Sequence, residues 1–232
     1  MKNNLSKRYK KLLDLSKDKK IETIEDAIKK IKNNCTAKFD ESIDISLKLN
    51  LKQKKEEVNL RTIVNLPHGN GKKIRIAVLC EESKVKEAKE SGATIAGSEN
   101  LIGEITAGKI NFDKLIATPA MMSKMGKLGK ILGPKGLMPN PKLGTVTEDI
   151  KKAVKDAKSG QVEIRNDKDG NIGVALGKKS FTDENLIKNY NAILETLEKE
   201  KSNVTIKGDL IKNTFITSTM GVSYKLKLSK NI

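Results

Sequence analysis

The chain has no tryptophan, and only three tyrosines and four phenylalanines in 232 residues. So few rings argue against a surface that stacks a run of single-stranded bases, and they leave little to anchor a helix at a membrane interface. There is one histidine, His68, and there are two cysteines, Cys35 and Cys80. That supply excludes most zinc arrangements and any disulfide framework, and the cysteines read as small apolar fillers. Neither a metal nor a cofactor is expected. No apolar run approaches the roughly 20 residues a membrane span needs. The N-terminal stretch MKNNLSKRYKKLLDLSKDKK is basic but has no apolar signal-peptide core, so a cytoplasmic chain without a membrane partner is expected.

Acid–base chemistry is left to carboxylates, and the adjacent pairs Asp40/Glu41 and Glu81/Glu82 would point to opposite faces of a strand. They read as solvated or capping groups. GEITAGK at residues 103–109 fits the first seven positions of a phosphate-binding loop, but Ile110 stands where a serine or threonine must meet Mg²⁺. Gly69-Asn70-Gly71 starts like a dinucleotide fingerprint, and Ile74 occupies the place of its third glycine. The chain is read as a binder and not an enzyme.

Positive charge is what the sequence has in excess, with a net charge of +17. A partner with a phosphate backbone is its leading explanation. With so few rings, folded RNA held by phosphates and shape fits better than a single strand. TPAMMSKMGKLGKILGPKGLMPNPKLGTVT, residues 118–147, lies inside a long stretch with no acid between Asp113 and Glu148. Thr118 and Pro119 suit a helix start. Met121, Met125, Leu128 and Leu132 then share one face, leaving Lys124, Lys127 and Lys130 off it. Gly126 and Gly129 each cost such a helix about 1 kcal/mol relative to alanine, so something close should need the backbone bare. Four glycines and prolines between Gly133 and Gly144 then impose a rigid loop holding Lys135 and Lys142. A solvated lysine face and a binding surface both remain open at this level.

Along the chain, residues 1–20 suggest a helix docking by Leu5, Tyr9, Leu12 and Leu13. Thr23 and Asp26 open a second, from Ile24 to about Lys32. Residues 43–51 alternate strictly and predict a half-buried strand, and residues 61–67 predict another. After the turn PHGNG, short apolar runs at 74–80, 94–97 and 114–117 interleave with helical stretches, including one at about 148–158 capped by Thr147. That pattern implies a parallel sheet. From Gly160, QVEIRNDKDGNIGVALGKKSF predicts strand, turn, strand, followed by a helix capped by Thr182 and strands at 204–207, 211–217 and 222–228. The fold class expected is α/β and α+β. A discontinuous α+β domain from both termini, residues 1–66 and 160–232, has an antiparallel sheet with packed helices. An inserted three-layer α/β Rossmann-like domain, residues 67–159, has a parallel sheet. The insertion carries 17 basic and 10 acidic residues, so its net charge of +7 leaves +10 for the terminal domain.

The spelling of GKLGKILGPKGLMPNPKLGTVT closely resembles the signature of the large-subunit ribosomal protein L-one family, the protein of the mobile rRNA stalk beside the tRNA exit site. AKFDESIDI, LPHGNGK, SGQVEIRNDKDG and TSTMG recur in the same family pattern, so the resemblance covers nearly the whole chain. It implies a monomer when free that binds folded large-subunit rRNA, exit-site tRNA in the assembled ribosome, and a similar fold in its own messenger RNA, repressing translation. Carried over by motif, Lys38, Phe39 and Glu41 of AKFDES would face Thr219, Met220 and Gly221 of TSTMG at the RNA. Arg165 and Lys168, beside the DKDG turn, are further RNA-binding candidates, and Lys135 and Lys142 are secondary ones. On this reading Phe39 packs on a base or ribose, the Thr219 hydroxyl reaches a 2′-OH, and Gly221 lets the backbone approach closely. The chain departs from the family at Gly173, often a histidine, at Val58 and Thr62 around Arg61, and at Val222, commonly a proline. A nucleotide-using enzyme and a general nucleic-acid chaperone are the alternatives to this reading.

Overall fold

A computed structural model describes residues 6–16, 21–50, 60–201 and 209–227. The elements, in chain order, are α1 (Lys7–Ser16), β1 (Ile21–Glu22), α2 (Ile24–Asn34), β2 (Ser42–Leu49), β3 (Arg61–Asn65), β4 (Ile76–Leu79), α3 (Val85–Glu90), β5 (Ile95–Gly97), α4 (Glu99–Thr106), β6 (Lys114–Ala117), α5 (Pro119–Met125), α6 (Gly129–Leu132), α7 (Ile150–Lys158), β7 (Gln161–Arg165), β8 (Asn171–Lys178), α8 (Asp183–Lys201), β9 (Ile211–Ser218) and β10 (Tyr224–Leu226). The strand expected at 204–207 lies outside the described residues, as do Leu5, Leu51 and Leu228.

Two compact units emerge. One joins residues 1–71 to 162–232, and the other spans residues 72–161. The first seam falls after Gly71, five residues beyond the expected 66/67, because the PHGNG turn is anchored to the terminal unit. The His68 N–H donates to the Asn189 side chain at 3.2 Å, and Asn189 donates back to the Gly69 carbonyl at 2.9 Å. A Cβ on Gly71 would sit 2.7 Å from the Lys178 chain, and its φ of +73° is one that glycine accepts freely.

The terminal unit is built on a five-stranded sheet in the order β1-β10-β9-β2-β8, antiparallel except for the short β1–β10 pair. Helices α2 and α8 pack against one face, where their buried residues share a core with the sheet. The period-2 pattern decides which side chains they meet: Ile43, Ile45, Leu47 and Leu49 of β2 are buried with Ile211 and Ile216 of β9 and with Ile28, Ile31, Ile193 and Leu197 of the helices. Helix α2 starts as its sequence predicts. Thr23 Oγ1 accepts from the Asp26 N–H at 3.3 Å and donates to the Asp26 carboxylate at 2.8 Å. The QVEIR–DKDG–NIGVALGK stretch forms the expected strand, turn and strand, but the two strands part beyond the turn. Strand β7 pairs with β3 in a separate two-stranded sheet while β8 pairs with β2, and next to the turn the two sides are linked by the bridge Asn166–Ile172 and by the Asp167 N–H donating to the Asn171 carbonyl at 2.9 Å. Asp167 closes the turn: its carboxylate accepts from the N–H groups of Asp169 (3.0 Å) and Asn171 (2.6 Å), while its carbonyl accepts from the Gly170 N–H at 3.0 Å.

The inserted unit holds a three-stranded parallel sheet, β5-β4-β6, between two apolar layers. Ala77, Leu79, Leu115 and Ala117 face Leu101, Ile105, Met121, Met125, Leu128 and Leu132. Ile76, Val78 and Ile116 face Ala88, Ile150, Val154 and Ala157 on the other side. This is the expected three-layer α/β arrangement. Gly103 to Thr106 lie within α4, so GEITAGK begins inside a helix and forms no phosphate loop. The helix expected from Thr118 is broken into α5, a 3₁₀ turn (Gly126–Leu128) and α6, although its four apolar residues are buried as predicted. Thr118 makes no side-chain capping bond, and its hydroxyl is buried without a partner. Thr147 does not cap α7. That place belongs to Asp149, which accepts from the Lys152 N–H at 3.1 Å, while Thr147 accepts from Asp149 one turn earlier.

Candidate nucleic-acid interface

The site begins where β2 starts and β9 ends. Register pairs Ile43 with Ser218, so residues 37–41 before β2 and Thr219–Gly221 after β9 must meet at one end of the sheet. Glu41 joins them. It is fully buried, and its two carboxylate oxygens accept from the Ala37 N–H at 3.1 Å and the Met220 N–H at 3.0 Å. Burial opposes its ionisation. The Met220 and Ala37 N–H groups and the Arg8 charge outweigh that, and hold the carboxyl below its ordinary range. Glu41 is thus turned inward, where it positions the two loops, rather than outward as a contact.

Thr219 completes the joint. Its N–H donates to the Ser42 carbonyl at 3.0 Å, and its hydroxyl accepts from the Ser42 N–H at 3.0 Å. Gly221 is required by the protein itself, since a Cβ there would lie 2.3 Å from the Ser218 hydroxyl. Its small size therefore serves the turn. On the outer side, Asp40 accepts from the Ser180 N–H at 3.1 Å and from its hydroxyl at 2.8 Å, so Asp40 and Glu41 point apart as expected. Arg8 of α1 was not singled out by the sequence. It donates to the Met220 carbonyl at 2.7 Å and to the Thr36 hydroxyl at 2.9 Å, tying the first helix to both loops. With these bonds made, Phe39 (54% exposed), Met220 (46%) and Lys38 project into solvent from a fixed frame.

Arg165 and Lys168 are also exposed, but at the far end of the sheet. Lys48 pairs with Asn171, and its ammonium donates to the Asp169 carbonyl at 2.6 Å, which docks the DKDG turn there. Six residues separate Ser42 from Lys48, about 20 Å at 3.3 Å per residue. The sequence candidates therefore form two groups. What lies between them is the uncovered face of the sheet. Register sets Gly173, Ser46, Phe215 and Lys225 side by side across four strands, with Ala175, Asp44 and Thr217 in the next row. Phe215 is 37% exposed in the middle of this flat, small-residue platform. Its outward register on β9 was readable from the alternation with Thr214 and Ile216. A lone phenylalanine in a strand is ordinarily core, which is why it was passed over.

The remaining sequence candidates, Lys135 and Lys142, lie in the inserted unit and are exposed. Their loop is fixed by its own bonds. Asn140 accepts from the Lys142 N–H at 2.9 Å, its own N–H donates to the Thr145 hydroxyl at 2.7 Å, and Gly136 and Gly144 take left-handed φ of +68° and +63°.

Among known sequences, the model of the ribosomal protein L1p/L10e family matches residues 28–222, which contain both loops, the open sheet face apart from Lys225, and the glycine–lysine segment. The chain belongs to this family. The large ribosomal subunit protein uL1 of Pelagibacter ubique (strain HTCC1062) is 66% identical over 227 residues, covering 98% of this chain and 99% of that protein. The uL1 protein of Rickettsia peacockii (strain Rustic) is 47% identical over 223 residues, 96% of this chain and 93% of its own length. That of Rickettsia canadensis (strain McKiel) is 45% identical over 229 residues, 99% and 95%. A ribosomal L1 protein needs no catalytic constellation, in keeping with carboxylates that are spent on turns and caps. No helix of the described residues is long and apolar enough to cross a membrane.

Proposed function

We propose that this L1-family chain is a structural constituent of the large ribosomal subunit in the cytoplasm, a monomer when free, whose terminal unit binds a folded segment of large-subunit rRNA at the mobile stalk. The observation that carries this reading is the uncovered sheet face. It is a flat platform of small side chains about Phe215, closed at one end by the Glu41-locked loops with Phe39, Met220 and Lys38, and at the other by Arg165 and Lys168. Among the described residues, helices α2 and α8 pack on the opposite face and leave this one uncovered. Its shape suits a wide, shallow RNA surface, and the unit's +10 charge supplies phosphate neutralisation. Thr219 keeps one hydroxyl lone pair for a 2′-OH after bonding Ser42, and Phe39 offers a ring face. Glu41 belongs to the site as the group that positions both loops. The fold that the platform takes in rRNA would be taken equally in the chain's own messenger RNA, which supports repression of its translation. Exit-site tRNA, and with it a part in tRNA release, is the third partner the family resemblance implies. The two units would act as separate domains, with the inserted one giving the stalk a second surface.

The test is binding to a folded stalk-like rRNA fragment and to a scrambled RNA of equal length, for the wild type, Thr219→Val and Phe39→Ala. Phe39→Ala removes no bond that holds the loops, so it isolates contact from framework. Preference for the folded fragment, lost in both variants, is expected. Equal binding of both RNAs by all three proteins would reduce the chain to a general nucleic-acid chaperone.

A further inference from the structure

Five glycines lie between Gly126 and Gly144, and the fold explains three of them. Gly136 and Gly144 have left-handed φ, and a Cβ on Gly133 would meet the Gly129 carbonyl oxygen at 2.6 Å. Gly126 and Gly129 are different. Both are right-handed helical, at φ −52°, ψ −36° and φ −55°, ψ −37°, and a Cβ on either would meet nothing within 4 Å. Alanine would fit both places and favour the helix. Their bareness serves nothing inside the chain.

Charge surrounds the same face. Lys127 and Lys130 alternate with these glycines, and Lys135 follows in the next turn; all three are exposed. Lys124 alone of this helical run is neutralised, by Glu99 at 2.6 Å. The other three have no acidic partner among the described residues, and the segment from Lys114 to Thr147 contains no acid to provide one. The face is held rigidly from below, where Met125, Leu128 and Leu132 are buried in the core of the inserted unit.

We infer that this face, with bare backbone at Gly126 and Gly129 between Lys127, Lys130 and Lys135, is a docking surface for a second RNA segment, gripped by its phosphodiester backbone. Closely spaced lysines would each neutralise a phosphate, and the missing Cβ atoms let the sugar–phosphate chain lie against the helix. The surface is independent of the sheet face of the terminal unit, so one molecule would hold two RNA segments.

The full-length protein is titrated with a labelled short RNA hairpin at low salt, both free and after saturation with the folded stalk-like fragment. One hairpin should still bind after saturation. Replacing Lys127, Lys130 and Lys135 by glutamine should weaken that event by about tenfold or more. The combined Gly126→Ala and Gly129→Ala substitutions should raise the melting temperature by a few degrees and yet weaken the hairpin by about threefold or more. A glycine variant that binds the hairpin like the wild type, or that melts lower, overturns the proposal. So does displacement of the hairpin by polyglutamate at matched charge, which would make the face a dock for an acidic protein. Loss of stalk-fragment binding alone, with the hairpin retained, counts against the terminal-unit reading and supports this one.

Discussion

The two units carry basic surfaces of opposite construction. In the terminal unit the charged and polar groups near Thr219 are largely occupied with one another. Glu41 holds Ala37 and Met220, Thr219 holds Ser42, and Arg8 holds Met220 and Thr36. What faces solvent includes apolar and small side chains, Phe39, Met220, Phe215 and Ser46, with Lys38 beside them. In the inserted unit Met125, Leu128 and Leu132 are buried, and the bare backbone of Gly126 and Gly129 faces out with Lys127, Lys130 and Lys135, which have no acidic partner among the described residues. The first design suits recognition of one RNA shape, because its geometry is fixed before the partner arrives. The second suits contact with any phosphate backbone, because charge and closeness are all it offers.

That contrast is most strongly tested at Glu41. Glu41→Gln removes a buried carboxylate that accepts two backbone donors, and should destabilise the terminal unit by about 2–3 kcal/mol, read by urea unfolding. Folded-RNA affinity should fall as well, although the residue is out of the partner's reach. The pH dependence has a definite sign. Glu41 has a depressed folded pKa, so its stabilisation is complete above the ordinary carboxylate value and is lost as pH falls through the folded value. Urea midpoints measured down to acid pH should show this loss in the wild type and not in Glu41→Gln.

Phe39→Ala should act in the opposite sense, leaving stability within about 0.5 kcal/mol while lowering folded-RNA affinity about tenfold. In the inserted unit, combined alanines at Gly126 and Gly129 should stabilise by about 1–2 kcal/mol without changing binding of the stalk fragment. If instead they weakened that fragment, the two surfaces would not be separate. The smallest effect belongs to Asp113, held at about 2 by the Arg75 backbone and guanidinium, with Lys72 beside it. Its stabilisation is present above about pH 4 and disappears as pH falls through about 2. After solvent screening Asp113→Asn should cost about 1 kcal/mol or less, measurable as a shift in the melting temperature at pH 7 and absent below pH 2.

Periodicity carried most of the fold into the sequence. The alternation of residues 43–49 announced β2 and its buried face, the short apolar runs announced the parallel sheet, and Lys114–Ala117 was legible to the residue. Side-chain competition for backbone groups was not. Asp149 takes the cap from Thr147, because which oxygen reaches which N–H depends on local geometry that no spacing encodes. In the site, the family motifs located both loops but not their roles. Glu41 reads as a surface acid beside Asp40, and only the sheet register brings Ala37 and Met220 to it. The open face was hidden for a related reason. Whether Phe215 is core or surface depends on which side of the sheet the helices α2 and α8 choose, a tertiary fact.

The most direct measurement is the affinity of Phe39→Ala and Phe215→Ala, each against the folded stalk-like fragment and the scrambled RNA, with melting temperatures recorded on the same samples. Selective loss of the folded fragment by about tenfold in both variants, with unchanged melting, is the predicted result. Undiminished preference for the folded fragment in both would place the RNA elsewhere, and the sheet face would be no interface.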